Sequence, residues 1–181
     1  RTALGRILAS DLHAPADVPN HTNSAMDGYA LRAADLEPGS PLTVIGTAWA
    51  GKPHPGAVAN GECVRIMTGA VMPEHADTVV MQEQVALLDD KIRVAPGQKT
   101  GQHVRHAGED LAAGELALRA GQRLAPAALG LIASLGIAEV PVFRRPRVAF
   151  FSNGDELRSI GQPLNPGEVY DSNRYTLHGL L

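Results

Sequence analysis

The chain has 181 residues, which is enough for one domain or two small ones. Its formal net charge of −3 argues against a nucleic-acid-binding surface, which normally carries a basic excess. Aromatic residues make up only 4% of the chain, while Gly and Pro number 19 and 13, and this mixture favours short strands joined by turns over a helical bundle. The sequence shows neither a signal peptide nor a long apolar span, so we expect a cytoplasmic protein without a membrane partner.

The first segment is predicted to be a helix over residues 2–12. Its apolar residues recur at the spacing of an amphipathic helix: Leu4, Ile7, Leu8 and Leu12. Two prolines, Pro15 and Pro19, end this helix and lead to a polar loop. Residues 30–34 are expected to add one more helical turn.

The middle of the chain changes to a strand pattern. Short apolar segments bounded by Gly, Pro or Asp predict five strands, at residues 42–49, 63–67, 78–81, 85–88 and 91–94. Asp89 and Asp90 between the last two predict a hairpin turn. The spacing suits a small antiparallel barrel or sandwich, and we expect residues 18–104 to fold as one β-rich domain. The single cysteine, Cys63, lies in an apolar run, which predicts a buried structural thiol.

The next segment predicts a second helical region. We expect a short strand at residues 115–118, a helix over residues 126–135 that begins with a proline and ends before a glycine, and a strand at 138–143. The helix should pack near the first helix. Residues 1–17 and 105–143 would then form a helical linker lobe, into which the β domain is inserted.

The last segment has the pattern of an α/β unit. An apolar run at residues 147–151 predicts a buried parallel strand, and the polar loop 152–156 follows at its carboxyl end, where α/β folds place ligands. Asp171 or Ser172 is expected to cap a helix that runs to the end of the chain. One strand and one helix cannot bury a core. Residues 144–181 are therefore predicted to begin a domain whose remainder is absent.

The polar loop after the first segment gathers several groups that chemistry uses. Residues 23–28 place an amide, a hydroxyl, a carboxylate and a glycine within six positions. Asn23 and Ser24 can hydrogen-bond nearby backbone, and Gly28 tolerates a close approach by another group. Asp27 would face outward, where a carboxylate can take part in chemistry or hold a cation. A capped turn without function is the alternative, and the spacing alone leaves both open.

Four ordered stretches combine such polar loops with apolar strands. They are Asn23-Ser-Ala-Met-Asp-Gly-Tyr-Ala30, Arg65-Ile-Met-Thr-Gly-Ala70 with Asp77-Thr-Val-Val-Met-Gln-Glu83, Gly108-Glu-Asp110, and Ser152-Asn-Gly-Asp-Glu-Leu157 with Tyr170-Asp-Ser-Asn173. Together they resemble the MoeA-type molybdopterin molybdenumtransferases, the family that includes the gephyrin E domain. The resemblance covers essentially the whole chain. It implies a multidomain α+β fold: a helical linker lobe, an inserted barrel-like β domain, and the first βα piece of a truncated, MogA-like α/β domain that binds molybdopterin.

The resemblance also implies a reaction in molybdenum cofactor biosynthesis. Molybdenum from molybdate is inserted into adenylylated molybdopterin, AMP is released, and the reaction depends on Mg2+. The expected assembly is a homodimer through the linker lobe, whose apolar residues exceed what one small lobe can cover. A MogA-like molybdopterin adenylyltransferase is the expected pathway partner. We expect this chain alone, as a fragment, to have little or no turnover.

Site residues follow from their places in the matched motifs. The resemblance implies catalytic roles for Asp27, Thr68 and Glu156. It implies substrate-binding roles for five further residues: Ser24, Arg105, Asp110, Asp155 and Asp171. It leaves the metal ligands unassigned.

Each of these roles has a plainer alternative. Thr68 could be an ordinary threonine at a strand end, Asp155 could brace its loop, and Arg105 could form a surface ion pair with a neighbouring carboxylate. Asn153 stands where the family usually has Thr, so we expect the loop to keep its shape while a hydroxyl contact to the pterin is altered. Two other functions compete: a non-catalytic, gephyrin-like scaffold and a small β-rich ligand-binding protein. Binding of molybdopterin or AMP would separate the enzyme from both.

Overall fold

The computed structural model describes residues 2–37 and 39–181. These residues form two compact units, Arg1–Val142 and Phe143–Leu181. Within the described ranges, no helix has the length and apolar character needed to cross a membrane.

The regular elements are mostly short strands. In chain order, the strands are β1 (Leu12–His13), β2 (Asn23–Ser24), β3 (Gly28–Leu31), β4 (Pro41–Ala48), β5 (Glu62–Ile66), β6 (Thr78–Met81), β7 (Val85–Leu88), β8 (Lys91–Val94), β9 (Val104–Arg105), β10 (Leu116–Leu118), β11 (Leu157–Arg158) and β12 (Val169–Tyr170). The two α-helices are α1 (Pro126–Ser134) and α2 (Ser172–Leu180), and 3-10 turns cover Ala33–Asp35 and Gln82–Gln84.

A six-stranded sheet dominates the first unit. Its order is β6-β3-β5-β4-β8-β7, and every neighbouring pair is antiparallel except β4 and β5, which run parallel. Because β4, β5 and β6 all run opposite to β3, their carboxyl ends meet at the edge where β3 begins. The loops that leave three strands and the loop that enters a fourth therefore lie side by side.

Both faces of this sheet are covered by apolar clusters. One face buries Tyr29, Leu31, Leu42, Cys63, Val80, Ile92 and Val94. The other face buries Ala30, Ala48, Val58, Val64, Ile66, Ala70 and Val79. Strands buried on both sides need apolar residues at every position, which explains the uninterrupted apolar runs of β3 and β6.

The strand predictions for the middle of the chain are confirmed. All five strands are present, and Leu88 pairs with Lys91 across the predicted hairpin turn, where Asp89 has a positive φ of 51°. The expectation of a small barrel holds only in part. The sheet is a curled half-barrel, with β6 and β7 as separate edges. Cys63 is buried, as predicted, and burial raises the pKa of its thiol to about 12.

The predicted helix over residues 2–12 is wrong. Gly5 has a left-handed φ of 74°, which an α-helix does not accept, and its amide donates to the Leu124 carbonyl at 2.8 Å. The Leu8 amide donates to the Gln122 carbonyl at 2.9 Å, and β1 then pairs with β10. The segment starts with a turn, in which the Arg6 amide donates to the Ala3 carbonyl, and the following amides bond to a distant stretch of chain instead of continuing a helix. Leu8 is nevertheless fully buried, so the expected packing exists without the helix.

Helix α1 is confirmed, with a proline at its first turn and Gly136 at a positive φ of 69° just beyond its end. Ile132 is buried in the same cluster as Leu8. Among the described residues up to 142, α1 is the only α-helix, so a mainly helical lobe is wrong. The strand expected at 138–143 is reduced to one bridge between Val142 and Leu8. Of the helical turn expected at 30–34, the first two residues belong to β3, and a 3-10 turn covers Ala33–Asp35.

The second unit is loosely built. The predicted buried strand at 147–151 is wrong: these residues form no strand, and the Phe151 side chain is 90% exposed. A buried parallel strand requires neighbours, and this unit supplies only the two-residue pair of β11 with β12. Helix α2 and its Asp171 cap are confirmed. None of the described residues of this unit is buried. Its assignment as a MogA-like domain, and the three-part division at residues 17/18, 104/105 and 143/144, stay predictions.

Candidate active site

The polar loop at residues 23–28 is a tight, internally bonded turn. The Ser24 hydroxyl donates to the Met26 carbonyl at 2.6 Å and accepts from the Met26 amide at 3.3 Å. The Asn23 side-chain amide donates to the His21 carbonyl at 3.1 Å. Ser24 is 1% exposed. Its hydroxyl therefore shapes the turn, and its substrate-binding role stays a prediction.

Two distant segments hold this turn in place. The Ser24 amide donates to the Ala70 carbonyl at 3.0 Å, and the Gly69 amide donates to the Ser24 carbonyl at 2.8 Å. On the other side, the Ala25 amide donates to the His103 carbonyl at 2.9 Å, where β2 pairs with β9. The loop is therefore fixed by residues more than forty positions further along the chain.

Asp27 and Thr68, both predicted to be catalytic, are in direct contact. The Thr68 amide and the Thr68 hydroxyl each donate to Asp27 Oδ1 at 2.7 Å. The backbone bond from Thr68 is the largest cause that lowers the pKa of Asp27, followed by the hydroxyl bond; the charge of Arg65 adds to them, and desolvation opposes them. Both residues are exposed. The result is an ionised carboxylate in a fixed position, open to a ligand.

Gly28 explains how Asp27 reaches this position. A Cβ at Gly28 would lie 2.1 Å from the Val80 carbonyl oxygen, a distance that no side chain tolerates. Glycine therefore lets β3 lie close against β6, and the Gln82 amide donates to the Asp27 carbonyl at 3.2 Å. The close strand contact brings the end of β6 to Asp27.

An open pocket of about 460 Å³ lies at this edge of the sheet. Its lining residues come from the ends of three strands: Met26, Asp27, Thr68, Met81, Gln82 and Glu83. Glu83 adds a second carboxylate to the pocket. Pairing of β3 with β6 creates this neighbourhood, and a pattern of residues along the chain does not reveal that pairing. The places of Gln82 and Glu83 in the pocket were therefore not predicted from the sequence, although both residues fall inside a matched stretch.

Arg65 is a third residue that the sequence analysis missed. Its guanidinium donates to the Tyr29 hydroxyl at 3.1 Å and to Gln82 Oε1, and it lies 5.1 Å above the centre of the Tyr29 ring. These contacts fix a positive charge beside the pocket. Its place next to Thr68 in the same matched stretch was the available signal.

The pocket offers only part of a metal site. Across residues 2–37 and 39–181, three or more His, Cys, Asp or Glu side chains nowhere converge in a metal-binding group. Proteins usually hold Mg2+ with one or two carboxylates, while substrate phosphates and water fill the other positions. Asp27 and Glu83 fit that partial role.

The structure brings Arg105 and Asp110 into contact as an ion pair. The Arg105 guanidinium donates to both carboxylate oxygens of Asp110 at 2.7 Å and to Glu109 Oε1 at 2.5 Å. The Glu109 bond is the largest cause that raises the pKa of Arg105, and the same bond lowers the pKa of Glu109. The structure thus contains the ion pair considered as the plainer alternative. Substrate binding by these residues stays a prediction.

The remaining predicted site residues lie in the second unit. The Glu156 carboxylate folds back on its own loop, where its oxygens lie 2.6 and 2.7 Å from the position of a Cβ at Gly154. Asp171 accepts from the Arg174 amide at 3.2 Å and lines a small pocket of about 180 Å³, which Gly154 also lines. Asp155 is exposed in the same loop. Roles for these three carboxylates in catalysis or binding stay predictions.

The sequence and the fold both point to one family. The family model for the MoeA N-terminal region (domain I and II) matches residues 1–136. The chain belongs to this family. A molybdopterin molybdenumtransferase of Haemophilus influenzae is 46% identical over 180 residues, which are 99% of this chain and 45% of that protein. Molybdopterin molybdenumtransferase 2 of Mycobacterium tuberculosis is 42% identical over 97% of this chain and 44% of its own length.

Solved structures of the family have the same fold. The crystal structure of the molybdopterin biosynthesis MoeA protein from Pyrococcus horikoshii has a TM-score of 0.88 and 36% identity, covering 98% of this chain and 49% of that chain. The chain therefore spans less than half the length of these relatives.

Proposed function

We propose that this chain supplies one part of the active site of a molybdopterin molybdenumtransferase. The observation that carries the proposal is the Asp27–Thr68 contact at the open sheet edge. It unites two of the residues that the family motifs predict to be catalytic, although 41 positions separate them. Membership of the MoeA N-terminal family and relatives named molybdopterin molybdenumtransferase support the same reaction.

In the proposed reaction, molybdate and adenylylated molybdopterin give molybdenum cofactor and AMP. Mg2+, when bound, neutralises phosphate charge while the phosphoanhydride opens. Asp27 and Glu83 would hold this ion through carboxylate oxygens. Thr68 keeps Asp27 ionised and fixes its direction, because both of its donors bond to one oxygen of Asp27. Asp27 can then also orient a water molecule that attacks the phosphoanhydride.

Several parts of the proposal lie outside this pocket. We propose that Glu156, Asp155 and Asp171 serve the molybdopterin side of the site, and that the second unit begins the MogA-like domain. The homodimer, the pathway link to a molybdopterin adenylyltransferase and the cytoplasmic location belong to the same proposal. A chain that spans less than half of its relatives is expected to have little turnover alone.

The decisive experiment measures AMP release by the full-length protein from adenylylated molybdopterin and molybdate. We expect turnover with Mg2+ and its loss when EDTA removes the metal, with recovery when Mg2+ is added back. The 181-residue chain in the same assay is the control and should release little AMP. Absence of AMP release at saturating Mg2+ would contradict the proposal, and absence of molybdopterin and AMP binding as well would favour the scaffold function.

A further inference from the structure

Trp49 is an exposed aromatic side chain at the edge of the sheet that carries Asp27. It is the only tryptophan in the chain and directly follows β4. Its side chain is 53% exposed. A tryptophan ordinarily buries most of its large apolar surface, so the exposed indole of Trp49 leaves a large apolar face available to a ligand.

Strand register places Trp49 in line with the pocket. Ala48 and Gly28 both pair with Ile66, from opposite sides of β5. One step further towards the edge, Trp49 and Asp27 therefore lie on either side of Met67. Neighbouring strands are about 5 Å apart, so the backbones of Trp49 and Asp27 are separated by roughly 10 Å.

The alternation of side chains puts Trp49 on the same face as Arg65. Ala48 is buried in one apolar cluster, so Thr47 and Trp49 on either side of it point to the opposite face. Thr47 pairs with Arg65, which in turn pairs with Tyr29, and these three residues form the next row of that face. The Arg65 guanidinium contacts Tyr29 and Gln82, so it lies on the β3 side of β5, the side on which Asp27 also lies.

A braced hairpin holds Trp49 in place. Its amide donates to the Lys52 carbonyl at 3.0 Å, and the Lys52 amide donates back to the Trp49 carbonyl at 2.9 Å. Gly51 completes the turn at a positive φ of 79°. The His54 ring then lies against β4, within 2.8 Å of where a Cβ at Gly46 would be. The hairpin thus holds the backbone of Trp49, while its indole side chain stays exposed.

We propose that Trp49 is a binding and specificity-determining residue, whose indole stacks on the fused nitrogen-heteroaromatic ring of a phosphate-bearing substrate. The phosphate end then points across Met67 towards the Asp27 pocket, beside which Arg65 carries its positive charge. Tryptophan offers a broad π-surface on which such a ring can stack. The inference rests on the proposed function, because adenylylated molybdopterin carries two such rings, the adenine and the pterin.

The single tryptophan makes a direct binding test possible. Tryptophan emission of the 181-residue chain is followed during titration with AMP, with a phosphorylated pterin and with ribose 5-phosphate. We expect saturable quenching by a ligand with a ring and no quenching by ribose 5-phosphate. The ligand that quenches identifies the stacked ring as adenine or pterin. No quenching by either ring, or emission that changes only with protein concentration as at a subunit interface, would overturn the inference.

Turnover of the full-length protein gives the second readout. Trp49→Ala is expected to raise KM roughly tenfold or more with little change in kcat, because stacking contributes mainly to binding. Trp49→Phe keeps a stacking face and should restore KM to near the wild-type value. Leu87→Ala, at a 70% exposed position on the far edge strand β7, is the matched control and should change neither constant.

The two proposals fail in different ways. An unchanged KM in Trp49→Ala, with normal turnover by the wild-type protein, removes Trp49 from the site and leaves the proposed function intact. Absence of AMP release by the wild-type protein overturns the proposed function instead. The quenching experiment then decides by itself whether this edge of the sheet binds a heteroaromatic ring.

Discussion

The carboxylates predicted to be catalytic lie in two differently built regions. Asp27 lies at the edge of a six-stranded sheet with apolar clusters on both faces, and two donors from Thr68 fix its carboxylate. Glu156 lies in an exposed loop of a unit without buried residues, and its carboxylate folds back on Gly154. The same type of side chain is thus fixed in one region and loosely placed in the other.

The difference shows what positioning a carboxylate requires. Around Asp27, backbone bonds from Gly69, Ala70 and His103 hold the loop, and Gly28 allows a strand contact that any larger residue would prevent. Precise placement therefore depends on partners from remote parts of the chain. The second unit makes its bonds mostly within residues 154–174, so its carboxylates are supported only locally. Variants in the two regions should differ accordingly.

The largest effect is expected for Gly28→Ala. The added methyl group would meet the Val80 carbonyl oxygen, which belongs to the backbone and cannot turn aside, so β3 and β6 must separate. We expect a loss of roughly 3 kcal/mol of folding stability, measured by urea unfolding of the chain. Gly130→Ala is the matched control, because nothing lies near its Cβ position in α1, and it should be neutral or stabilise by about 1 kcal/mol. Equal effects of the two substitutions would contradict the close strand contact.

Asp27→Asn should preserve the fold and strongly reduce turnover of the full-length protein. The asparagine oxygen still accepts both bonds from Thr68, but the charge that would hold Mg2+ or polarise water is lost. Removing such a group typically lowers the rate by on the order of a hundredfold or more. AMP release and the melting temperature are measured on one preparation. Near-wild-type rates at saturating Mg2+ would show that Asp27 is only part of a turn, and Asp90→Asn on the distant hairpin serves as the control.

Asp171→Ala should loosen α2 without affecting the first unit. It removes the acceptor of the Arg174 amide, and loss of such a cap costs about 1 kcal/mol of helix stability. Hydrogen exchange of the α2 amides is the measurement, and the sheet amides of residues 78–81 are the internal reference. Asp171→Asn caps nearly as well and should leave exchange unchanged. If exchange became faster in the sheet as well, the two units would not respond independently.

The smallest effect concerns acid sensitivity in the second unit. A bond from Arg158 is the largest cause that lowers the pKa of Glu168 to about 2, with further bonds from Asn165. Because the folded value lies below the ordinary 4.5, this contribution is fully present above pH 4.5 and is lost as the pH falls towards 2. The protection of the Val169 amide against exchange, relative to its intrinsic exchange rate at each pH, should therefore fall between pH 4.5 and 2. Glu168→Gln should abolish that dependence; a dependence that survives it would assign the effect to another group.

The fold was predictable where the signal is local. The strands at 78–81, 85–88 and 91–94 were predicted to the residue, because short apolar runs and the turn at Asp89 are signals within one stretch of sequence. The prediction of a helix at 2–12 was wrong because the bonding partners of this segment are not local. The spacing of Leu8 and Leu12 suits a helix, but amides of this segment bond to the chain near Gln122, and no local pattern records that pairing.

The residues of the candidate site also divide into those that the sequence predicts and those that only the structure reveals. Asp27 and Thr68 were found through their motifs, which name residues without showing their contacts. Glu83 and Arg65 entered only with the structure, because they become neighbours of Asp27 through strand pairing. The placement of Trp49 near Asp27 follows from the parallel register of β4 with β5, which is the least predictable pairing in the sheet.

The remote anchoring of the loop at residues 23–28 has a consequence for protein synthesis. The loop leaves the ribosome before its partners at Gly69, Ala70 and His103 are made. At translation rates of roughly 5–20 residues per second, the loop waits on the order of ten seconds for its last partner. Until β6 is made, Gly28 has no strand to lie against. The loop is therefore translated before these partners and acquires its shape only after the last of them.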